Sequence, residues 1–202
     1  MKALLLLFTA FACFFPVMAD NTHHTGKNII SAKKIAMIIA SDNFRDEELL
    51  TPLNTFRKAG FRVTVFSKTT KQAKGMLGYK FTPDKKLSEL DVKNFDGIVF
   101  IGGSGAKIYW SDSFCHQICK NAVTQNKILA AICIAPVTLA RSGVLKDKKA
   151  TVWPGVKKEL ILHGAKYTGK PVTIDGNIIT ANGPKSSKEF AAIIISKLKS
   201  SK

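Results

Sequence analysis

Short apolar runs bounded by polar residues recur along this chain from residue 34 onward. Residues 34–40 (KIAMIIA), 61–66 (FRVTVF), 96–101 (DGIVFI) and 127–132 (KILAAI) are four of them. Such runs predict strands buried on both faces of a sheet. Between the first two, Ser41, Asp42 and Asn43 offer cap residues, and Asp46, Glu47 and Glu48 fill a first turn where negative charge is favoured. That helix is expected to end at Lys58-Ala59, with Gly60 as its stop. Further helices are predicted over 113–124, from Pro136 onward, around 156–163 and over 189–198. Residues 150–153 read as a strand. Residues 172–174 and 178–180 read as an antiparallel pair turned at Asp175-Gly176. Residues 71–86 are turn-rich and predict a small hairpin excursion.

Strands alternating with helices predict an α/β fold, a mostly parallel sheet covered on both faces. Ligand sites in such sheets gather at the carboxyl ends of the strands. Three segments follow strands here: Asp42 to Glu48, Gly102-Gly103-Ser104-Gly105, and Cys133 to Pro136. Their convergence is the main physical argument for a site.

The N-terminus changes the picture of the compartment. Lys2 precedes an apolar run to Phe15, and Val17-Met18-Ala19 places small residues at a cleavage position. Residues 1–19 are therefore expected to be a secretory signal, giving a secreted or periplasmic protein without a stable membrane anchor. A polar arm, residues 20–33 with His23 and His24, precedes one domain over 34–202. Loss of the leader removes a single charge, Lys2, from a formal net charge of +17. The lysines are dispersed, and no basic motif interleaved with aromatics is present, so no nucleic-acid partner is expected.

Beyond the leader stand Cys115, Cys119 and Cys133. Cys115 and Cys119 lie one helical turn apart and share a face, a spacing that suits packing better than a disulfide. A redox pair is the second option. Neither His116 nor His163 belongs to a metal-ligand pattern, so no metal and no cofactor is expected.

Cys133 sits between an apolar strand and a helix opened by Pro136, with Ala131 and Ala135 two places to either side. A sharp strand-to-helix elbow holds a nucleophile in this way, and the helix start favours a thiolate. A buried, inert cysteine is the competing interpretation. Gly102 to Gly105 lack a complete phosphate-binding fingerprint; they are turn residues, or backbone donors for an oxyanion beside the cysteine.

Taken together, several segments resemble the ThiJ/PfpI family of the class I glutamine amidotransferase-like superfamily, which includes the Parkinsonism-associated protein deglycase and bacterial stress proteins. They are Phe44 to Leu49 with Pro52, the strand leading into Gly102-Gly103, Ala130 to Pro136, and Asn182-Gly183-Pro184. The resemblance implies a flavodoxin-like three-layer sandwich with a mostly parallel sheet, and a homodimer acting on a small-molecule substrate. It implies that Cys133 is the reactive thiol with Glu48 beside it. A protonated carboxyl there would lower the thiol's pKa, and Asp46 and Glu47 would help keep it protonated.

Two positions depart from the family pattern. Ile134 stands where the proteases carry a histidine, and Trp153-Pro154 where the deglycases carry histidine and proline. Peptidase activity is therefore not expected. The expected chemistry is cysteine-dependent and glyoxalase- or deglycase-like, acting on a small reactive carbonyl, acyl or amide compound. Cys133 is nucleophile, Glu48 proton donor and acceptor, the N–H groups of Gly103 and Ile134 the oxyanion donors, and Gly102 and Trp153 the wall. The alternatives are a redox-responsive stress protein whose Cys133 oxidises reversibly, and a binding protein without chemistry.

Overall fold

Along the strands of the central sheet, apolar side chains alternate between two cores. Ala36, Ile38, Ile98, Phe100, Leu129 and Ala131 face one side. Ile35, Met37, Val99, Ile101, Ala130 and Ile132 face the other. This is the two-residue period of a strand with no solvent face. A computed structural model describes residues 32–200. The expected signal, residues 1–19, and all but the end of the polar arm, with His23 and His24, lie outside the described residues.

In chain order the elements are β1 (Lys34–Ile38), β2 (Asp42–Phe44), α1 (Asp46–Lys58), β3 (Arg62–Ser67), β4 (Ala73–Gly75), β5 (Lys80–Phe81), β6 (Lys85–Lys86) and β7 (Gly97–Phe100). Then follow α2 (Ser113–Thr124), β8 (Ile128–Ile132), α3 (Pro136–Arg141), β9 (Lys149–Ala150), α4 (Lys157–Leu162), β10 (Lys166–Tyr167), β11 (Val172–Asp175), β12 (Ile178–Ala181) and α5 (Ser187–Ser200). The main sheet runs β11-β12-β8-β7-β1-β3-β6. Every neighbouring pair is parallel except β11 with β12, whose register closes with Asp175 opposite Ile178 around the turn read from the sequence.

Helices α1 and α5 pack on each other and cover one face through Leu49, Leu53, Phe56, Phe190, Ile194 and Leu198. Helices α2, α3 and α4 cover the other through Ile118, Cys119, Val137, Leu139 and Leu160. This is the expected three-layer α/β sandwich with a mostly parallel sheet. Gly60, at φ +85°, turns the chain out of α1 as expected.

Some local expectations fail. Asp42 and Asn43 do not cap α1: they lie in β2, and Arg45 holds the N-cap position without a side-chain cap bond. β2 pairs with β4, which returns antiparallel as β5, so the expected hairpin belongs to a separate three-stranded sheet. Residues 151–153 do not continue β9, which is two residues long and pairs with β10.

Candidate active site

The chain leaves β1 to run through β3 on one side and returns to β7 and β8 on the other. A crevice forms at the carboxyl ends where that order reverses. The segments after β1, β7 and β8 meet there, as the sequence predicts. They are held by backbone hydrogen bonds: Arg45 N–H donates to the Gly102 carbonyl at 3.0 Å, and Cys133 N–H to the Ala181 carbonyl at 2.9 Å.

Cys133 occupies the left-handed region at φ +63°, a conformation that a residue with a β-carbon enters at a cost. The strained turn takes the side chain out of the β8 direction and leaves it 9% exposed. The next helix begins at Pro136. The N–H groups of Gly103 and Ile134 both point toward the sulfur and favour its anion. The same two residues are expected from the sequence as donors to a substrate oxyanion.

Glu48 lies in the first turn of α1 with no solvent exposure. Its Oε2 and the Cys133 Cβ each lie 2.5 Å from the point that a β-carbon on Gly102 would occupy. Glycine is what lets the carboxyl and the cysteine come together. Neither carboxyl oxygen completes a hydrogen bond of good geometry. The Cys133 thiol and the Gly102 N–H are nonetheless near enough to favour the ionised carboxylate. The contact is loose, of the kind that tightens when charge develops during a reaction.

Burial pushes the Glu48 carboxyl up to about 8. Arg45 opposes that shift and Glu47 adds slightly to it. The expected help from Asp46 has another outlet, since its carboxylate accepts hydrogen bonds from the N–H groups of Leu77 and Tyr79, each at 2.9 Å. Desolvation, more than like-charge repulsion, is what keeps Glu48 protonated.

The expectation of a lowered thiol pKa is corrected. Burial, and then the negative charge of ionised Glu48, push Cys133 up to about 12, against the pull of Gly103 and Ile134. The two groups titrate as a pair: the first proton is held to about 8 and the second more tightly still. Lowering of the thiol by Glu48 is available only while the carboxyl keeps the shared proton.

Above the pair opens a pocket of about 440 Å³, lined by Arg45, Glu48, Met76, Gly103, Ser104, Lys107, Cys133, Ile134, Trp153, Gly155, Val156 and Pro184. Trp153 is half-exposed and donates its backbone N–H to the Cys133 carbonyl at 2.8 Å. Its ring edge comes within 3.1 Å of where a Gly183 β-carbon would stand. Arg45, Met76 and Lys107 were not singled out in the sequence. Met76 comes from the turn between β4 and β5, whose placement depends on the distant Asp46.

His116 contacts the Trp110 carbonyl through Nε2 at 2.9 Å, and His163 the Glu159 carbonyl through Nδ1 at 2.8 Å. Neither lines the pocket. Cys115 and Cys119 are unpaired thiols, fully buried on the inner face of α2, and burial pushes both up. Among the described residues, no group of three His, Cys, Asp or Glu is disposed to hold a metal ion. Among them, too, no helix is long and apolar enough to cross a membrane.

The sequence model of the DJ-1/PfpI family matches residues 33–197. The chain belongs to the DJ-1/PfpI family. A relative in Methanocaldococcus jannaschii, an uncharacterized protein, is 37% identical over 198 residues, 96% of each chain. A protein of Thermococcus kodakarensis named deglycase is 30% identical over 148 residues, 73% of this chain and 89% of its own. The crystal structure of a ThiJ/PfpI domain protein from Brachyspira murdochii is similar at a TM-score of 0.82 and 32% identity, covering 85% of this chain and 99% of that one.

Proposed function

We propose that this DJ-1/PfpI protein is a cysteine-dependent enzyme acting on small reactive carbonyl compounds, 1,2-dicarbonyls such as methylglyoxal in particular. The observation that carries the reading is the meeting of Glu48 and Cys133 across Gly102 at the floor of the pocket. Relatives named deglycase support it.

As the Cys133 sulfur adds to the aldehyde carbon, forming a C–S bond, its proton passes to the Glu48 carboxylate. The oxygen becomes an oxyanion facing the Gly103 and Ile134 N–H groups, which stabilise it before Glu48 delivers its proton. The Glu48 carboxylate then removes the C–H proton of that carbon, and through an enediol returns it to the neighbouring carbon, while the hydroxyl proton passes from the first oxygen to the second. The aldehyde carbon is now oxidised to a thioester and the ketone reduced to an alcohol, with no outside oxidant. Water cleaves the C–S bond, so methylglyoxal plus water gives lactate and restores the thiol. One carboxyl serves all of Glu48's proton transfers in turn, and no histidine is needed.

The test is lactate formation from methylglyoxal. Cys133→Ser should abolish it, and Glu48→Gln should lower it by about 10²-fold or more. Turnover unchanged in Cys133→Ser overturns the assignment.

A second reading rests on exposure. Cys133 opens into the pocket, whereas Cys115 and Cys119 are fully buried. Mild peroxide should therefore add oxygen at Cys133 alone, as a redox-responsive protein requires. Equal labelling of all three cysteines counts against it. We also propose export through residues 1–19, tested by N-terminal sequencing of the mature protein, and a homodimer, tested by light scattering.

A further inference from the structure

The pocket above Cys133 carries positive charge out of proportion to its acids. Arg45 and Lys107 both line it, and Glu48, buried at the floor, is the only acid among the described lining residues. Arg45 is near enough to the reacting pair for its charge to be felt at both Glu48 and Cys133. Its side chain is steadied from outside the pocket, Nε donating to Glu47 at 2.8 Å and Nη2 at 3.0 Å. The Lys107 ammonium makes no ion pair among the described residues. It rests 5.8 Å from the centre of the Trp110 ring, and the Trp110 indole N–H donates to the Ile134 carbonyl at 3.1 Å. Arg45 is thus held by a carboxylate, and the exposed Lys107 leans on an aromatic face anchored to the elbow. The rest of the wall includes apolar groups, among them Trp153 and Val156. Around it the chain's formal charge of +17 draws small anions toward the surface.

We propose that the substrate is an anionic dicarbonyl: a 1,2-dicarbonyl joined through a short apolar linker to a carboxylate or similar anion, which Arg45 and Lys107 receive. This rests on the reading of Cys133 as the nucleophile. The chemistry is that written for methylglyoxal, so 4,5-dioxopentanoate plus water gives 2-hydroxyglutarate. The anion adds recognition at the far end of the molecule and leaves the bonds made and broken unchanged.

The test compares 4,5-dioxopentanoate with 2-oxopentanal, which has a methyl group in place of the carboxylate. For the full-length protein, kcat/KM should favour the anion by about tenfold at low ionic strength, and added salt should erode that preference while leaving 2-oxopentanal unaffected. Arg45→Met and Lys107→Met should each shrink the ratio, which cancels any effect of Arg45 on the thiol itself. Equal kcat/KM for the two compounds, or a ratio untouched by both variants, overturns the proposal. Binding of the same compounds to Cys133→Ser, by calorimetry, separates the two readings. If the wild type turns over neither compound, the enzyme assignment falls. The anion preference then stands if the Ser variant binds 4,5-dioxopentanoate more tightly and loses that advantage with Arg45→Met, and falls if it does not.

Discussion

The Glu48 carboxyl and the Cys133 side chain touch the same point in space, the position that Gly102 leaves empty by having no β-carbon. Gly102→Ala would place a methyl group 2.5 Å from both, and 2.7 Å from the Ile132 carbonyl oxygen. None of the three can yield freely: one is a strained elbow, one a buried helix residue and one a strand carbonyl. The variant should lose about 1–3 kcal/mol of stability in urea denaturation. Turnover of methylglyoxal should fall by about 10²-fold, because small displacements of reacting groups are costly. Full activity in a folded Gly102→Ala protein would mean that the pair need not meet.

Glu48 also sets a pH dependence of stability. An unfolded glutamate ionises near 4.5, and the buried one near 8. The folded chain therefore holds an extra proton between those values. The stability this represents is complete below pH 4.5 and is lost as pH rises through about 8. The shift of Cys133 begins at 9 and acts only in more alkaline solution. Glutamine stays neutral throughout, so Glu48→Gln should melt higher than the wild type at pH 8, being more stable by at most of the order of 4 kcal/mol. The difference should vanish near pH 4.5. Parallel melting curves across that range would place the carboxyl in water.

Asp46 holds the turn that forms one wall of the pocket. Its two oxygens receive the N–H groups of Leu77 and Tyr79, which follow Met76 in the turn that brings it to the site, and Gly75 is glycine because a β-carbon would strike that carboxylate. Asp46→Ala strips both donors of their acceptor and should cost about 1–3 kcal/mol. Amide hydrogen exchange should accelerate at Leu77 and Tyr79 while β8 stays protected, and KM should rise more than kcat falls. Asp46→Asn, which keeps one acceptor, should recover part of each effect. A uniform rise in exchange across the sheet would make Asp46 a residue of global stability instead.

What the sequence made legible follows from where information is stored in it. The strands β1, β7 and β8 are apolar runs, so period and burial announce them, and α2 spans the predicted residues 113–124. Cys133, Glu48, Gly102 and Gly103 lie within a few residues of such strands, and fold class alone gathers them. The short strands β2, β9 and β10 offer two or three residues each, too few for any period to register. Met76 reaches the pocket on a turn whose next residue, Leu77, is bonded to Asp46, 31 positions away, and Lys107 through a 3₁₀ turn over 104–109. Local pattern carries no trace of either. The direction of the Cys133 shift was hidden for a related reason: burial of the pair is a property of the assembled site, not of the elbow.

The elbow itself yields the last prediction. Cys133 holds φ +63°, where a β-carbon crowds the following carbonyl oxygen. The conformation is fixed from both sides, by the Cys133 N–H on the Ala181 carbonyl and by the Trp153 N–H on the Cys133 carbonyl. Neither bond involves the side chain, so the strain persists whatever residue is placed there. Cys133→Ala keeps the β-carbon and should keep the strain, whereas Cys133→Gly relieves it. Ordinarily glycine is the less stable of the two, through the entropy of the unfolded chain. Here Cys133→Gly should match or exceed Cys133→Ala, by up to about 1 kcal/mol in urea denaturation, with both inactive toward methylglyoxal. A glycine variant about 1 kcal/mol less stable than the alanine variant would show that the turn carries no strain for function to exploit.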